Sequence, residues 1–197
     1  MTPLDVLTRN IDAVVIGASA GGVEILSVLL SVIPSGCRVS FFIVLHIPRE
    51  RPSLLAELFS NRCALPVREA EDKEPVQPGT VYFAPPDYHM LVDRGPALAL
   101  SGDEPVHFSR PSIDVLFDSA ADIYGERLMG VILTGANQDG AEGLAAIAQA
   151  GGRTVVQDPS GAAVAYLPEA ALQEGPVDAV LSLEQLQELF ASWPTKG

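Results

Sequence analysis

The sequence contains few of the residues that bind metals or crosslink a fold. It has two cysteines, Cys37 and Cys63, and three histidines, and none of these residues share the spacing of a metal-ligand set. Two isolated cysteines are typical of reduced thiols and do not form a disulfide framework. The scattered histidines argue against a zinc site. We therefore expect no metal centre.

Basic residues and long apolar runs are also scarce. Twelve Lys and Arg residues stand against 25 Asp and Glu residues, which gives a net charge of −13. An anionic surface disfavours nucleic acid and anionic membranes as main partners. The apolar run Val39–Ile47 is too short to span a bilayer, and the N-terminus MTPLDVLTRN lacks the pattern of a signal peptide. We expect a cytoplasmic protein that binds no nucleic acid and does not insert into membranes.

The pattern of apolar residues predicts an α/β fold. Hydrophobic residues make up 48% of the 197 positions, which is sufficient for one domain with a substantial core. Strands and helices alternate, and this predicts a doubly wound, mostly parallel sheet with helices on both faces. The predicted strands are Ile11–Ile16, Val39–His46, Leu128–Leu133, Arg153–Gln157 and Asp178–Leu181. The predicted helices are Val23–Ile33, Pro52–Asn61, Pro111–Tyr124, Gln138–Gln149 and Leu183–Phe190.

The middle of the chain has a different pattern. Four short strand candidates are separated by turn residues such as Pro78-Gly79 and Arg94-Gly95-Pro96. They predict either a small antiparallel insertion or an extension of the main sheet. These candidates are Pro66–Ala70, Thr80–Ala84, Met90–Asp93 and Ala97–Leu100.

Ser19 lies in a glycine-flanked turn between the first predicted strand and helix, within Gly17–Gly22 (GASAGG). The N-terminus of a helix favours negative charge, so this turn suits either a nucleophile that creates an oxyanion or a bound phosphate. A dinucleotide site is disfavoured because Ser19 replaces the middle glycine of GxGxxG, and His46 stands where an acidic residue would hold the ribose. The segment is also not the GxSxG of an α/β-hydrolase.

Three candidate catalytic side chains follow three different predicted strands. Ser19 follows the first strand, His46 ends the second, and Asp139 lies in the loop after Leu128–Leu133. Because parallel strands end at one edge of a sheet, these side chains are expected to converge as nucleophile, general base and orienting carboxylate. Each also has a plainer interpretation in isolation. Ser19 and Asp139 could each be a helix cap, and His46 could be a structural histidine.

Six ordered segments resemble the catalytic domain of the CheB-type chemotaxis protein-glutamate methylesterases. The resemblance extends from about Ile11 to about Leu189. The segments are Val14–Gly22 (VVIGASAGG), Val44–Pro48 (VLHIP), Val81–Met90 (VYFAPPDYHM), Arg110–Ala121 (RPSIDVLFDSAA), Gly130–Leu144 (GVILTGANQDGAEGL) and Ala150–Pro159 (AGGRTVVQDP).

The resemblance implies a function and a set of site residues. Ser19, His46 and Asp139 match the family's catalytic serine, histidine and aspartate. The implied reaction is demethylation of glutamate γ-methyl esters on the cytoplasmic domain of methyl-accepting chemoreceptors, with deamidation of receptor glutamines as a further activity. No metal or organic cofactor is implied. Backbone N–H groups are expected to stabilise the oxyanion, the candidates being Ala20, Gly21, Gly22 and Ala136.

The resemblance also raises questions of domain content and activity. Residues 1–197 are expected to form one catalytic domain, with a core over about 11–189 and no receiver domain. A receiver domain or a methyltransferase, on the same or another chain, is a candidate partner. The loop before Asp139 departs from the family's GMGxDG, since Ala136 replaces the methionine and Asn137 the second glycine. This departure motivates one alternative, a catalytically weakened docking module for a receptor or kinase. An esterase of small molecules with the same three catalytic residues is a further alternative.

Overall fold

The computed structural model describes residues 3–46 and 54–195, and all structural statements refer to these ranges. The end of the Val44–Pro48 motif and the predicted helix start at Pro52 lie outside them. The strands are β1 (Ala13–Ala18), β2 (Ser40–Leu45), β3 (Val67–Glu69), β4 (Val81–Phe83), β5 (His89–Asp93), β6 (Ala97–Ser101), β7 (Leu128–Ile132), β8 (Arg153–Gln157) and β9 (Ala179–Leu181). The helices are α1 (Pro3–Leu7), α2 (Gly22–Ser31), α3 (Leu55–Ser60), α4 (Ile113–Tyr124), α5 (Ala141–Gln149), α6 (Tyr166–Glu174) and α7 (Leu183–Ala191).

A seven-stranded sheet forms the centre of the molecule. Its strand order is β3-β4-β2-β1-β7-β8-β9, and the neighbouring strands are parallel. Every residue of β1, β2 and β7 is buried, because helices cover both faces of a parallel sheet and leave no polar side. The doubly wound parallel sheet predicted from the alternating pattern is therefore confirmed.

The helices divide into two layers, one on each face of the sheet. One core contains Val14 and Ile16 of β1 together with apolar residues of α2, α3 and α7. The other contains Ala13 and Val15 with apolar residues of α4, α5 and α6. Alternate residues of β1 thus serve opposite cores, as the pleat of a strand requires. None of the helices in the described ranges is long and apolar enough to cross a membrane.

The middle of the chain forms both of the structures that the sequence left open, an extension of the main sheet and a small antiparallel insertion. β3 and β4 extend the main sheet and pair in parallel, whereas β5 and β6 form a separate antiparallel hairpin. The difference follows from the connections. The segment from β3 to β4 is long enough to cross back to the starting edge, but β5 and β6 are joined by a tight turn in which Gly95 has a φ of 110°. The antiparallel part is therefore limited to one hairpin.

Several element boundaries differ from the prediction. β1 runs over Ala13–Ala18 instead of Ile11–Ile16, because its pairing with β2 continues through Gly17 and Ala18. α5 begins at Ala141 and not at Gln138, since Gly140, with a φ of 112°, is its N-cap. The helices α1 and α6 were not predicted. α6 carries a proline in its first turn, where a helix tolerates the missing N–H.

The chain reverses its winding direction between β1 and β7. From β1 the chain proceeds to β2 on one side, and from β7 it proceeds to β8 on the other. Adjacent parallel strands whose connections leave in opposite directions create a crevice at their carboxyl ends. This crevice positions the loops after β1 and β7 side by side.

We expect Gly17→Ala to destabilise the fold. A Cβ at Gly17 would lie 2.4 Å from Cγ2 of Ile113, the first residue of α4, so the helix would have to shift. Overpacking of this kind costs about 1–3 kcal/mol. Urea denaturation should show a lower free energy of unfolding for Gly17→Ala than for the wild type. Gly102→Ala is the control, since its Cβ would meet nothing within 4 Å; equal losses in both variants would contradict the proposed contact.

Candidate active site

Ser19 lies in the turn between β1 and α2. Its N–H donates to the carbonyl oxygen of Thr134 at 2.9 Å, and its own carbonyl accepts the N–H of Gly22 at 2.8 Å. The N-cap of α2 is Gly21, with a φ of 81°, and no side chain caps the helix. Ser19 is therefore not a helix cap. Ser19 is half-buried, and its hydroxyl makes no hydrogen bond among the described residues, which leaves it available for chemistry.

His46 follows β2 and is paired with Asp139. Its backbone N–H donates to the carbonyl of Ala18 at 3.1 Å, which continues the ladder between β1 and β2. Its side-chain Nε2 lies 2.8 Å from Asp139 Oδ2. A carboxylate can only accept, so Nε2 carries the hydrogen, and Nδ1 of the neutral ring retains a lone pair. This tautomer leaves Nδ1 as the ring atom that can accept a proton or a hydrogen bond.

Asp139 is completely buried and is held by the N-terminus of α4. The Ser112 hydroxyl donates to Oδ1 at 2.6 Å, the N–H of Ile113 to Oδ2 at 2.6 Å, and the N–H of Asp114 to Oδ1 at 3.1 Å. Burial by itself raises the pKa of this carboxyl, but the bonds from His46, Ser112 and Ile113 outweigh it and hold the pKa below its ordinary value. Asp139 is thus a stable carboxylate and not a cap of its own helix.

The loop from β7 to Asp139 passes directly against Ser19. A Cβ placed on Gly135 would lie 3.0 Å from the Cβ of Ser19. The same loop continues to Asp139, which binds His46. The structure therefore brings the three predicted side chains to one rim of the sheet, although the hydroxyl of Ser19 and the ring of His46 are not hydrogen-bonded to each other. Contacts of this type often tighten only when substrate is bound.

The expected oxyanion donors differ in availability. The N–H of Gly22 is used inside the turn by the carbonyl of Ser19, which removes Gly22 from the candidate donors. The N–H groups of Ala20, Gly21 and Ala136 have no acceptor in the part of the chain that the structure describes. The exposed Ala20 and Ala136 belong to the loops on the two sides of Ser19. The candidate donors therefore narrow to these three groups.

The departure from the family loop is accommodated by the side chain of Asn137. Its Oδ1 accepts the N–H of Asp139 at 3.2 Å, and its Nδ2 donates to Ser109 Oγ at 3.1 Å. Asn137 does not have a positive φ, so a glycine is not required here. The replacement of glycine by Asn137 thus adds two hydrogen bonds to the loop and leaves the hydrogen bonds of the Asp139 carboxylate in place.

Two supporting residues were missed by sequence reasoning. Ser112 caps α4 and also binds Asp139, and only the capping role is visible in the sequence. The buried His89 accepts the N–H of Ser112 on Nδ1 at 3.1 Å, and its Nε2–H donates to the carbonyl of Glu104 at 3.0 Å. His89 therefore positions Ser112. The third histidine, His107, has its Nε2 3.5 Å from Oδ2 of Asp114.

Fold and site together place the chain among the doubly wound α/β proteins whose site lies at the carboxyl edge of the sheet, at the switch in winding direction. No cluster of three or more metal-ligating side chains occurs within residues 3–46 and 54–195. The sequence model of the family described as CheB methylesterase matches residues 14–190, and the chain belongs to this family.

Individual relatives agree with the family match. A Leptospira interrogans protein named "Putative protein-glutamate methylesterase/protein-glutamine glutaminase" is 45% identical over 181 residues, covering 92% of this chain and 94% of that protein. A Dechloromonas aromatica protein-glutamate methylesterase/protein-glutamine glutaminase is 41% identical over 87% of this chain, which spans 49% of that protein. The crystal structure of the Thermotoga maritima CheB methylesterase catalytic domain superposes on this chain with a TM-score of 0.85 and 32% sequence identity. The match covers 92% of this chain and 97% of that domain.

We expect Asp114→Asn to change the pH dependence of stability. Burial, together with the charge of Asp139, raises the pKa of Asp114 to about 6 despite the bond from the N–H of Gly143. Because the folded pKa lies above the unfolded one, the contribution of Asp114 to stability is present below about pH 4 and declines as pH rises through 6. As pH rises from 4.5 to 7, the free energy of unfolding of the asparagine variant should therefore increase relative to that of the wild type by on the order of 1–3 kcal/mol.

Urea denaturation at several pH values measures this gain. Asp122→Asn, an exposed position on the same helix, is the matched control. A difference between Asp114→Asn and wild type that stays constant across the range would show that Asp114 does not titrate there.

Proposed function

We propose that the chain hydrolyses glutamate γ-methyl esters of proteins, with Ser19 as nucleophile, His46 as general base and Asp139 as the orienting carboxylate. The observation that carries this proposal is the 2.8 Å bond between His46 and the buried Asp139, at the same sheet edge as the half-buried Ser19. Membership of the CheB methylesterase family supports the same reaction.

In the proposed acylation step, Nδ1 of His46 takes the proton of the Ser19 hydroxyl as Oγ attacks the ester carbonyl carbon. The tetrahedral oxyanion is stabilised by the N–H groups of Ala20, Gly21 and Ala136, and one such donor typically contributes about 3 kcal/mol. Collapse breaks the bond to the methoxy group, which leaves as methanol with the proton from His46. A γ-glutamyl ester of Ser19 remains.

In the proposed deacylation step, His46 takes a proton from water as the water attacks the acyl-enzyme. The Ser19–acyl bond breaks, Oγ recovers its proton from His46, and the glutamate side chain is released as the carboxylic acid, which loses its remaining proton to solvent water. The imidazolium forms in both steps. The low pKa of Asp139 supports its stabilisation, because the carboxylate remains ionised beside it.

The same route would release ammonia from a glutamine amide, as the double names of the relatives suggest for those proteins. The proposed substrate is the cytoplasmic domain of a methyl-accepting chemoreceptor, and the proposed site of action is the cytoplasm. A receiver domain or a methyltransferase, on the same or another chain, is a further proposed partner. So is the assignment of residues 1–197 to one catalytic domain.

Ser19→Ala tests the nucleophile. Removal of the hydroxyl should lower methanol release from methylated receptor by a factor of about 10³ or more, with an unchanged unfolding midpoint. A fluorophosphonate probe should label the wild type at Ser19 and leave the variant unlabelled. Full activity in Ser19→Ala would exclude the mechanism. A wild type that binds receptor without labelling or turnover would support the docking module, and broad turnover of nitrophenyl esters with indifference to receptor would support a small-molecule esterase.

Ser112→Ala tests the support of Asp139. Loss of the 2.6 Å bond should lower kcat by about 10-fold with little change in KM, since the hydroxyl orients the carboxylate and does not reach substrate. Loss of the cap should also lower stability by about 1 kcal/mol. Ser182→Ala is the matched control, because Ser182 caps α7 away from the site. Kinetics and urea denaturation separate the effects: an equal fall of kcat in both variants would assign the loss to capping alone.

A further inference from the structure

The side chain of Thr134 contacts the turn that carries Ser19. Thr134 follows β7 and is 1% exposed. Its hydroxyl donates to the carbonyl of Ala20 at 2.8 Å and accepts the N–H of Val164 at 2.9 Å. The carbonyl of Val164 is more distant from the hydroxyl, at 3.3 Å, and it accepts the N–H of Gly135. The single hydroxyl hydrogen of Thr134 is therefore directed at Ala20.

The main chain of Thr134 is fixed by two further hydrogen bonds. Its N–H donates to Oε1 of the buried Gln157 at 2.8 Å, and its carbonyl accepts the N–H of Ser19 at 2.9 Å. Thr134 thus binds the peptide group before Ser19 through its main chain and the peptide group after Ala20 through its side chain. Because one buried residue holds both groups, the turn has little freedom to rotate either of them.

The bond to Ala20 decides where the next N–H points. The carbonyl of Ala20 and the N–H of Gly21 belong to one planar trans peptide group, so they point in opposite directions. Since the carbonyl is turned toward the buried Thr134, the N–H of Gly21 faces away from it. That N–H has no acceptor within residues 3–46 and 54–195, and it is one of the three proposed oxyanion donors.

We infer that Thr134 is a positioning residue for the oxyanion site, because its hydroxyl orients the peptide group that joins Ala20 to Gly21. This inference rests on the proposed function. A donor stabilises a transition state most when it is already aimed at the developing charge before the reaction begins. Thr134 is buried and does not reach substrate, so it affects the chemical step through the backbone and leaves substrate binding unchanged.

Thr134→Val tests the inference, because valine has the shape of threonine and lacks the hydroxyl. We expect kcat for a methylated receptor protein to fall by about 10- to 100-fold, with an unchanged KM. Propylboronic acid provides a second measurement. It has the carbon chain of a glutamate side chain and bonds to a serine oxygen as a tetrahedral anion, so its inhibition constant should rise by a similar factor. Thr134→Ser keeps the hydroxyl and should retain both values.

Thr154→Val is the matched control for loss of a buried threonine hydroxyl. Thr154 is 1% exposed, and its hydroxyl accepts the N–H of Asp178 at 3.0 Å and donates to the carboxylate of the same residue at 3.3 Å. It lies near the amino end of β8, opposite the sheet edge that carries Ser19. We expect Thr154→Val to lower the free energy of unfolding and to leave kcat and the inhibition constant unchanged.

Thr134→Cys serves if the valine variant does not fold. The thiol is a weaker donor than a hydroxyl, so kcat should lie several-fold below that of Thr134→Ser. An unchanged kcat in Thr134→Val, or equal kcat values in the cysteine and serine variants, would overturn the inference and leave the proposed function intact. An equal fall of kcat in Thr134→Val and Thr154→Val would overturn it too. If the unsubstituted protein neither hydrolyses the receptor ester nor is inhibited by propylboronic acid, the proposed function fails and the inference fails with it.

Discussion

The site depends on the burial of one carboxylate at the start of a helix. Asp139 is inaccessible to solvent, and an unpaired charge there would be strongly destabilising. Ser112, the N–H groups of Ile113 and Asp114, and the ring of His46 compensate for that burial. These bonds join the loop after β7 to α4 and to the end of β2, so the carboxylate fixes three elements at once.

Close packing around Ile113 places α4 where it can bind that carboxylate. A Cβ on Gly17 would lie 2.4 Å from the Ile113 side chain, and a Cβ on Gly140 would lie 2.6 Å from it. The two glycines therefore let the first turn of α4 approach β1 and the start of α5. The approach also buries Asp114 close to Asp139, and burial, together with the charge of Asp139, raises the pKa of Asp114.

Much of the fold could be predicted because strands and helices leave local patterns. The apolar runs of β1, β2 and β7 and the helical spacing in α2 and α4 indicated a parallel α/β sheet, and the carboxyl ends of three strands indicated the site. The direction of β3 and β4 could not be derived, since short strands carry little periodicity and pairing depends on distant neighbours. α6 was missed because its pattern is weak and interrupted by a proline.

The order of residues along the chain was enough to place a serine in a glycine turn, a histidine and an aspartate at the strand ends. The hydrogen-bond partners of these side chains depend on the three-dimensional packing. His46 and Asp139 are 93 residues apart, and Ser112 and Asp139 are 27 apart. The folded structure also shows that the N–H of Gly22 donates to the carbonyl of Ser19 within the same turn. Local sequence sets only the backbone preference, because hydrogen bonds between distant segments form after packing has fixed the sheet order and the approach of the helices.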